Sequence, residues 1–492
     1  MTENTDSTTI TEQMDGKDKK KIKTINDLND DSLLIIFSLL SVRDKTRCER
    51  VCQRWNDLIK HSWASNKLLA FVNSFNVWRQ AGHEDLDTLT LTKIISKCPN
   101  LTTLNFEQTA TNFDETVLDV IGQFCPKLEK LIMKHKNLSG YNIANLGRAC
   151  PMLKSIDFSR CNDVSETSLC ELLLLRPDME SISLSRVDNI TGKCFYRLNS
   201  LSYLDLSGCS SIVTDAFSLL GQNCSQTLKT LLAPSLSNAG LKIICTTFLN
   251  LEVFEVESSI EAIINFRTVE LRGARLLGNL KKLRVLRFYP ELEDLDNGAM
   301  LSIMEKCLEL TELSLCGTEK LTDLSIANLP EYLPNLTKLT LEGSQISDKS
   351  ARALADLKKL TELKINGSLI TDEGAMHLIT HCRSLEHLSV NQCPGVTLET
   401  VLYAWDLVHQ GLASKELVIV YKGTRIVPSF FPTREKCGKY DESDEEEEYC
   451  HTADNEENLD DLQDYEEDIY DHDYEPYGDD EEYDEREVYY LS

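Results

Sequence analysis

A phrase of the form apolar-x-x-apolar-x-apolar returns thirteen times between Leu101 and Tyr421. Its first positions are Leu101, Leu128, Leu153, Met179, Leu201, Leu228, Leu251, Leu283, Leu310, Leu336, Leu360, Leu385 and Leu417. The mean step is about 26 residues, the size of one small supersecondary unit. Two steps stretch, ahead of Leu283 and Leu417, and one shortens at Leu201, which marks where loops or helices depart from the regular unit. A unit this short cannot bury its apolar side alone, so the units must stack on one another. Stacking makes a long surface rather than an enclosed pocket, which points to binding before catalysis.

The alternation at the end of each phrase is that of a strand. Its apolar members point inward, and the residues between them line one face of a continuous parallel sheet. Asp157, Ser181, Ser183, Asp205, Ser314, Lys364, Asn366 and Ser389 are such residues. Between strands, apolar residues three and four apart predict helices, as in Ala351, Leu354, Ala355 and Leu357, and again in Ala375, Leu378 and Ile379. The expected fold is α/β, a curved parallel sheet with helices outside. Thirteen strands at roughly 4.8 Å give a sheet about 60 Å long.

Eight of the 17 cysteines obey this grammar. Cys98, Cys125, Cys150, Cys307 and Cys382 stand three residues before a strand leucine; Cys161, Cys209 and Cys393 stand eight after one. Ser344 and Ser368 take the second position in other units, so a small buried residue that bonds the turn backbone is expected there. Metal-type pairs of the C-x-x-C kind are lacking, and no metal or cofactor is expected. So many thiols without a signal peptide imply a reducing compartment, hence a cytoplasmic or nuclear location.

The spacing resembles the cysteine-containing class of leucine-rich repeats. The resemblance rests on the Cys-Pro-x-Leu starts at Cys98, Cys125 and Cys150, and on Ile346-Ser347-Asp348 and Ile370-Thr371-Asp372-Glu373-Gly374. About thirteen repeats are assigned to residues 98–421, with residues 67–97 as a helical linker or N-terminal cap.

Residues 24–66 read as a small all-α unit. Asp30, Asp31 and Ser32 are N-cap candidates for a first helix carrying Leu33, Leu34, Ile36, Phe37 and Leu40. Asp44 is the expected cap of a second, with a stripe of Cys48, Val51, Cys52, Trp55, Leu58 and Ile59. About 40 residues rarely stabilise themselves, so the unit must dock on something. Leu28-Asn29-Asp30-Asp31, Leu34-x-x-Phe37-x-x-Leu40 and Val51-Cys52-x-x-Trp55 resemble an F-box, although Asn29 stands where that family usually has proline. The resemblance implies docking on the Skp adaptor and, through it, on cullin and RING subunits. Leu28, Leu33, Ile36, Phe37, Leu40, Val51, Cys52 and Trp55 are the implied adaptor-facing residues or the core beneath them. A second reading makes the same positions the core of a cap on the repeat array, which every such array needs.

The formal net charge is −29. Residues 441–492 hold 26 acidic residues against one basic residue, Arg486. Such a segment cannot bury enough apolar surface to fold and is expected to be disordered, beyond a linker at 422–440. With a mean reach of about 40 Å it could lie over the sheet and compete with acidic targets. Residues 1–23 read as a disordered arm with a short basic patch. The near-neutral body argues against nucleic-acid binding, and no apolar run is long enough for a membrane span.

No nucleophile elbow, phosphate loop or zinc-protease motif occurs. The F-box resemblance beside the repeat array implies a non-catalytic substrate receptor of a Skp–cullin–F-box ubiquitin ligase, delivering a bound protein for degradation. Its candidate target-binding face is Lys134, Asp157, Arg160, Tyr203, Asp205, Arg284, Arg287 and Lys364. The alternative is a scaffold or assembly factor whose acidic tail binds basic proteins.

Overall fold

The computed structural model describes residues 24–71, 86–107, 111–138, 142–161, 163–257, 271–289, 292–412, 417–421 and 488–490. The expectations for residues 1–23 and 422–440, and for nearly all of 441–492, lie outside them. All thirteen phrases are strands of one sheet, from Thr103–Asn105 to Val418–Val420, each parallel to the next. Their central residues lie in register, Leu104 beside Leu131, Leu131 beside Ile156 and Ile156 beside Ile182. Each is sealed from solvent, because one sheet face meets the outer helices.

The sheet has 15 strands, two more than the phrases count. Leu68–Ala70 pairs in parallel with Thr103–Asn105, so residues 67–97 open on a strand before the helix Thr88–Ile95. At the far end Val488–Tyr490 pairs antiparallel with Val418–Val420. A second, two-stranded sheet joins Leu86–Asp87 to Thr111–Asn112.

The short step before Leu201 has a local cause. Its outer segment is a 3-10 turn, Lys193–Arg197, where most units carry an α-helix. Gly192 starts it at φ 77°, and a Cβ there would meet Ala216 Cβ at 2.8 Å and the Phe195 ring at 2.9 Å. The long step before Leu417 holds a 12-residue helix, Leu398–His409.

The Ser/Thr-Asp phrases form a ladder on the outer side. Asp323 accepts from the Ser347 amide at 2.8 Å and hydroxyl at 2.7 Å. Asp348 does the same with Thr371, and Asp372 with Thr397. Ser347 and Thr397 also cap their own helices. Burial would lift the Asp323 carboxyl, but the Ser350 and Ser347 donors hold it below the usual carboxylate range.

All 15 described cysteines are free thiols. The turn cysteines are buried as expected; Cys393 reaches both its own turn, at Asn391 O, and the preceding unit, at Ile365 O, while Cys161 and Cys209 bond the preceding unit. Cys161 donates to Met133 O at 2.9 Å and Cys209 to Leu184 O at 3.0 Å. Burial pushes the Cys161 thiol up to about 11 and Cys209 to about 12, so both stay protonated.

Candidate functional site

Two surfaces carry the candidate residues. The first is built by α1 (Asp30–Ser38), α2 (Val42–Cys48) and α3 (Gln53–Ser65). Asn29, not Asp30, Asp31 or Ser32, caps α1, its side chain accepting from the Ser32 amide at 2.9 Å. Asn29 thus replaces a rigid proline with a hydrogen-bonded cap, which is a preferred role for asparagine. Ser41, not Asp44, caps α2; its hydroxyl accepts from the Asp44 amide and donates to the Asp44 carboxylate. The expected single second helix is broken between Cys48 and Gln53, which takes Val51 and Cys52 out of the apolar stripe.

The implied F-box residues therefore divide. Leu33, Phe37 and Trp55 are core, with Phe37 edge-on to Trp55 at 5.1 Å. Ile36 and Leu40 are half-buried against that core. Leu28, Val51 and Cys52 are exposed. Sequence reasoning missed the most exposed apolar residues, Ile35 at 65 % and Leu39 at 82 %. They stand four apart, Ile35 within α1 and Leu39 at its C-cap. The signal was present, since α1 carries more apolar residues than one buried stripe can use.

Arg54 holds the entry to α1. Its guanidinium donates to Asn26 O at 2.7 Å, Leu28 O at 2.6 Å and the Asp30 carboxylate at 2.9 Å. The helices are also fused to the array. Glu49 accepts from the Trp63 indole at 2.7 Å and from Lys97 at 2.8 Å. Lys45 is buried 5.1 Å from the Trp63 ring centroid, and burial lowers its pKa. Leu33, Trp63, Leu104 and Tyr421 belong to one continuous core. The helical unit therefore also caps the array, so the two sequence readings describe the same residues.

The second surface is the open face of the sheet. Most of its candidate charges are already matched. Arg287 bridges Glu255 and Glu312, each at 2.6 Å. Lys134 pairs with Glu107 at 2.6 Å and Asp157 at 3.7 Å; Lys364 pairs with Glu362 at 3.2 Å. Arg284 is exposed, and its backbone carbonyl accepts from the next strand. Asp157, Ser159, Ser183 and Asp205 form one row of close contacts, Ser159 to Asp157 at 2.7 Å, Ser159 to Ser183 at 2.7 Å and Ser183 to Asp205 at 2.8 Å, in which two hydroxyl protons serve three contacts. Asp205 is buried and meets only neutral donors among the described residues. Burial, then the Asp205, Asp157 and Glu255 carboxylates, pushes the Tyr203 phenol up to about 12.

Above this floor runs a rim that sequence reasoning caught only in part. His135, Arg160 and Arg186 hold the same turn position in successive units, with φ of 57°, 55° and 56°. Their amides donate in turn to Ser159 O, Ser185 O and Ser207 O. In four other units that position is glycine, at Gly208, Gly317, Gly343 and Gly367, and in the Leu385 unit it is Gln392 at φ 55°. A side chain in the left-handed region costs about 1 kcal/mol or more. A cavity of about 320 Å³ lies between floor and rim, bordered by Lys134, His135, Arg160, Asp157, Tyr203 and Asp205.

On the outer side, Glu166, Cys170 and Cys194 bring their ligand atoms within 4.8 Å of one another. The Glu166 carboxylate caps a turn, accepting from Thr191 and Gly192. Burial raises both thiols, so the group reads as a structural staple.

Comparison with known proteins finds matches in both the helical unit and the repeat array. Residues 25–66 match the F-box-like family model, and residues 332–355 match a leucine-rich-repeat model. F-box/LRR-repeat protein 12 of Bos taurus is 29% identical over 136 residues, covering 25% of this chain and 37% of that protein. F-box/LRR-repeat protein 5 of Xenopus tropicalis is 23% identical over 217 residues, covering 42% of this chain and 32% of that protein. The chain thus spans about a third of the length of the curated relatives it matches. Among solved structures, a leucine-rich-repeat protein of Leptospira interrogans superposes with a TM-score of 0.46 at 17% identity, covering 82% of this chain and 94% of that one. The Rad7 and Elc1 complex of yeast gives 0.40 at 18% identity, covering 80% and 81%.

Proposed function

We propose that this chain is the non-catalytic substrate receptor of a Skp–cullin–F-box ubiquitin ligase. The exposed apolar pair Ile35 and Leu39 carries the reading, since it stands on the segment that matches the F-box-like model. Exposed aliphatics on a helix that already has a buried stripe have no use in a lone protein, and they suit an apolar helix face on the Skp adaptor. The sheet face receives the target. The ubiquitin chemistry belongs to other subunits, and this chain raises the effective concentration of the target beside them.

The test is co-purification of the full chain with the Skp adaptor. Ile35→Asp with Leu39→Asp should abolish adaptor recovery and leave the melting temperature unchanged, because neither side chain is in the core. Recovery of adaptor at the wild-type level refutes the assignment. Recovery of basic proteins without adaptor by the unaltered chain favours the scaffold reading.

A further inference from the structure

We propose that the rim of His135, Arg160 and Arg186 seats an acidic segment of the target protein, whose Asp and Glu carboxylates lie along the ladder. This rests on the reading that the sheet face receives the target. The three side chains rise from consecutive units, so they repeat at the strand spacing, roughly 4.8 Å. They occupy a left-handed turn position that four other units give to glycine. The first glycine of that row, Gly208, leaves the room Arg186 needs, since a Cβ there would stand 2.7 Å from Arg186 Cγ.

The field along the rim is positive. Arg160, Lys136 and Lys134 face His135, with Glu107 as the nearest opposing charge and Asp157 and Asp205 on the floor below. Burial, then those three cations, lowers the pKa of the exposed His135 ring. Arg186 meets Glu257 only at 3.7 Å, a contact a bound carboxylate can replace. Ser185 lines the cavity beneath. Its floor is acidic, with Asp157 and Asp205 turned onto serines, so an anionic segment is held at the rim and a continuous polyanion such as nucleic acid is disfavoured.

An anion beside His135 favours the imidazolium, so binding takes up a proton and tightens as pH falls.

The experiment is fluorescence anisotropy of the full chain at low salt with a labelled ten-glutamate peptide, a ten-lysine peptide and a ten-nucleotide single strand. The chain's own acidic tail is present in every variant, so comparisons hold it constant. Arg160→Glu with Arg186→Glu should weaken the glutamate peptide about tenfold or more, while Arg160→Lys with Arg186→Lys keeps most of the binding. Wild-type binding should tighten severalfold from about pH 8 to about pH 6, and His135→Gln should flatten that change. Adaptor recovery should match wild type in all of these variants, which separates failure here from failure of the receptor assignment. Unchanged binding by the charge-reversed variant, an equal loss of lysine-peptide binding in that variant, or equal binding of the oligonucleotide overturns the proposal.

Discussion

The α1 face and the sheet face solve the problem of binding in opposite ways. At α1 and its C-cap, Ile35 and Leu39 leave apolar area in water, uncovered among the described residues. On the sheet, Arg287, Lys134 and Lys364 are already paired, and Asp157 and Asp205 are already bonded. The first surface gains free energy simply by being covered. The second gains little from any one contact, because each new partner must displace an old one. A surface of the first kind suits one constant partner; one of the second kind discriminates among many.

The sharpest way to break this contrast is to compare a core residue of the helical unit with a surface one. Phe37→Ala should cost about 3–5 kcal/mol of stability and lose the adaptor with it. Leu39→Asp should lose the adaptor and shift stability by under about 0.5 kcal/mol. If calorimetry shows equal destabilisation, Leu39 is packed rather than presented.

A second measurement probes the outer ladder. Asp323→Ala strands the Ser347 and Ser350 donors and should cost about 2 kcal/mol. The folded pKa of Asp323 lies below its unfolded value, so its contribution is complete above about pH 5 and is lost as pH falls past about 3.9 and then through the folded value. Acid melts of wild type and variant should therefore converge at low pH.

Smaller still, Arg287→Met should cost about 1–2 kcal/mol, since it leaves Glu255 and Glu312 half-buried and facing each other. Added salt should shrink the loss. Least of all, Asn29→Pro should change stability by under about 1 kcal/mol. The Asn29 φ of −69° already suits proline, so the stiffer chain offsets the lost cap.

The repeat was legible because Leu104, Leu131 and Ile156 recur at one step and each must be buried. The division of the F-box residues was not. Leu33 and Ile35 are both aliphatic, and only the break between Cys48 and Gln53 decides which face α1 turns inward. The rim was half visible. Arg160 and Arg186 could be placed near the sheet, but arginine gives no hint of a left-handed backbone, and the glycines at Gly343 and Gly367 reveal the position only once units are aligned. The caps were misassigned by one to three residues, because Asn29 and Asp30, or Ser41 and Asp44, are equally good capping types.

The bond from Glu49 to Trp63 and Lys97 has a consequence for reach. An array welded at that point behaves as a calliper rather than a leash. Its span is a count of units, and each unit added or removed displaces the far end by roughly 4.8 Å. A change in the number of repeats thus resets the distance from the helical unit to the far end of the sheet without touching either surface.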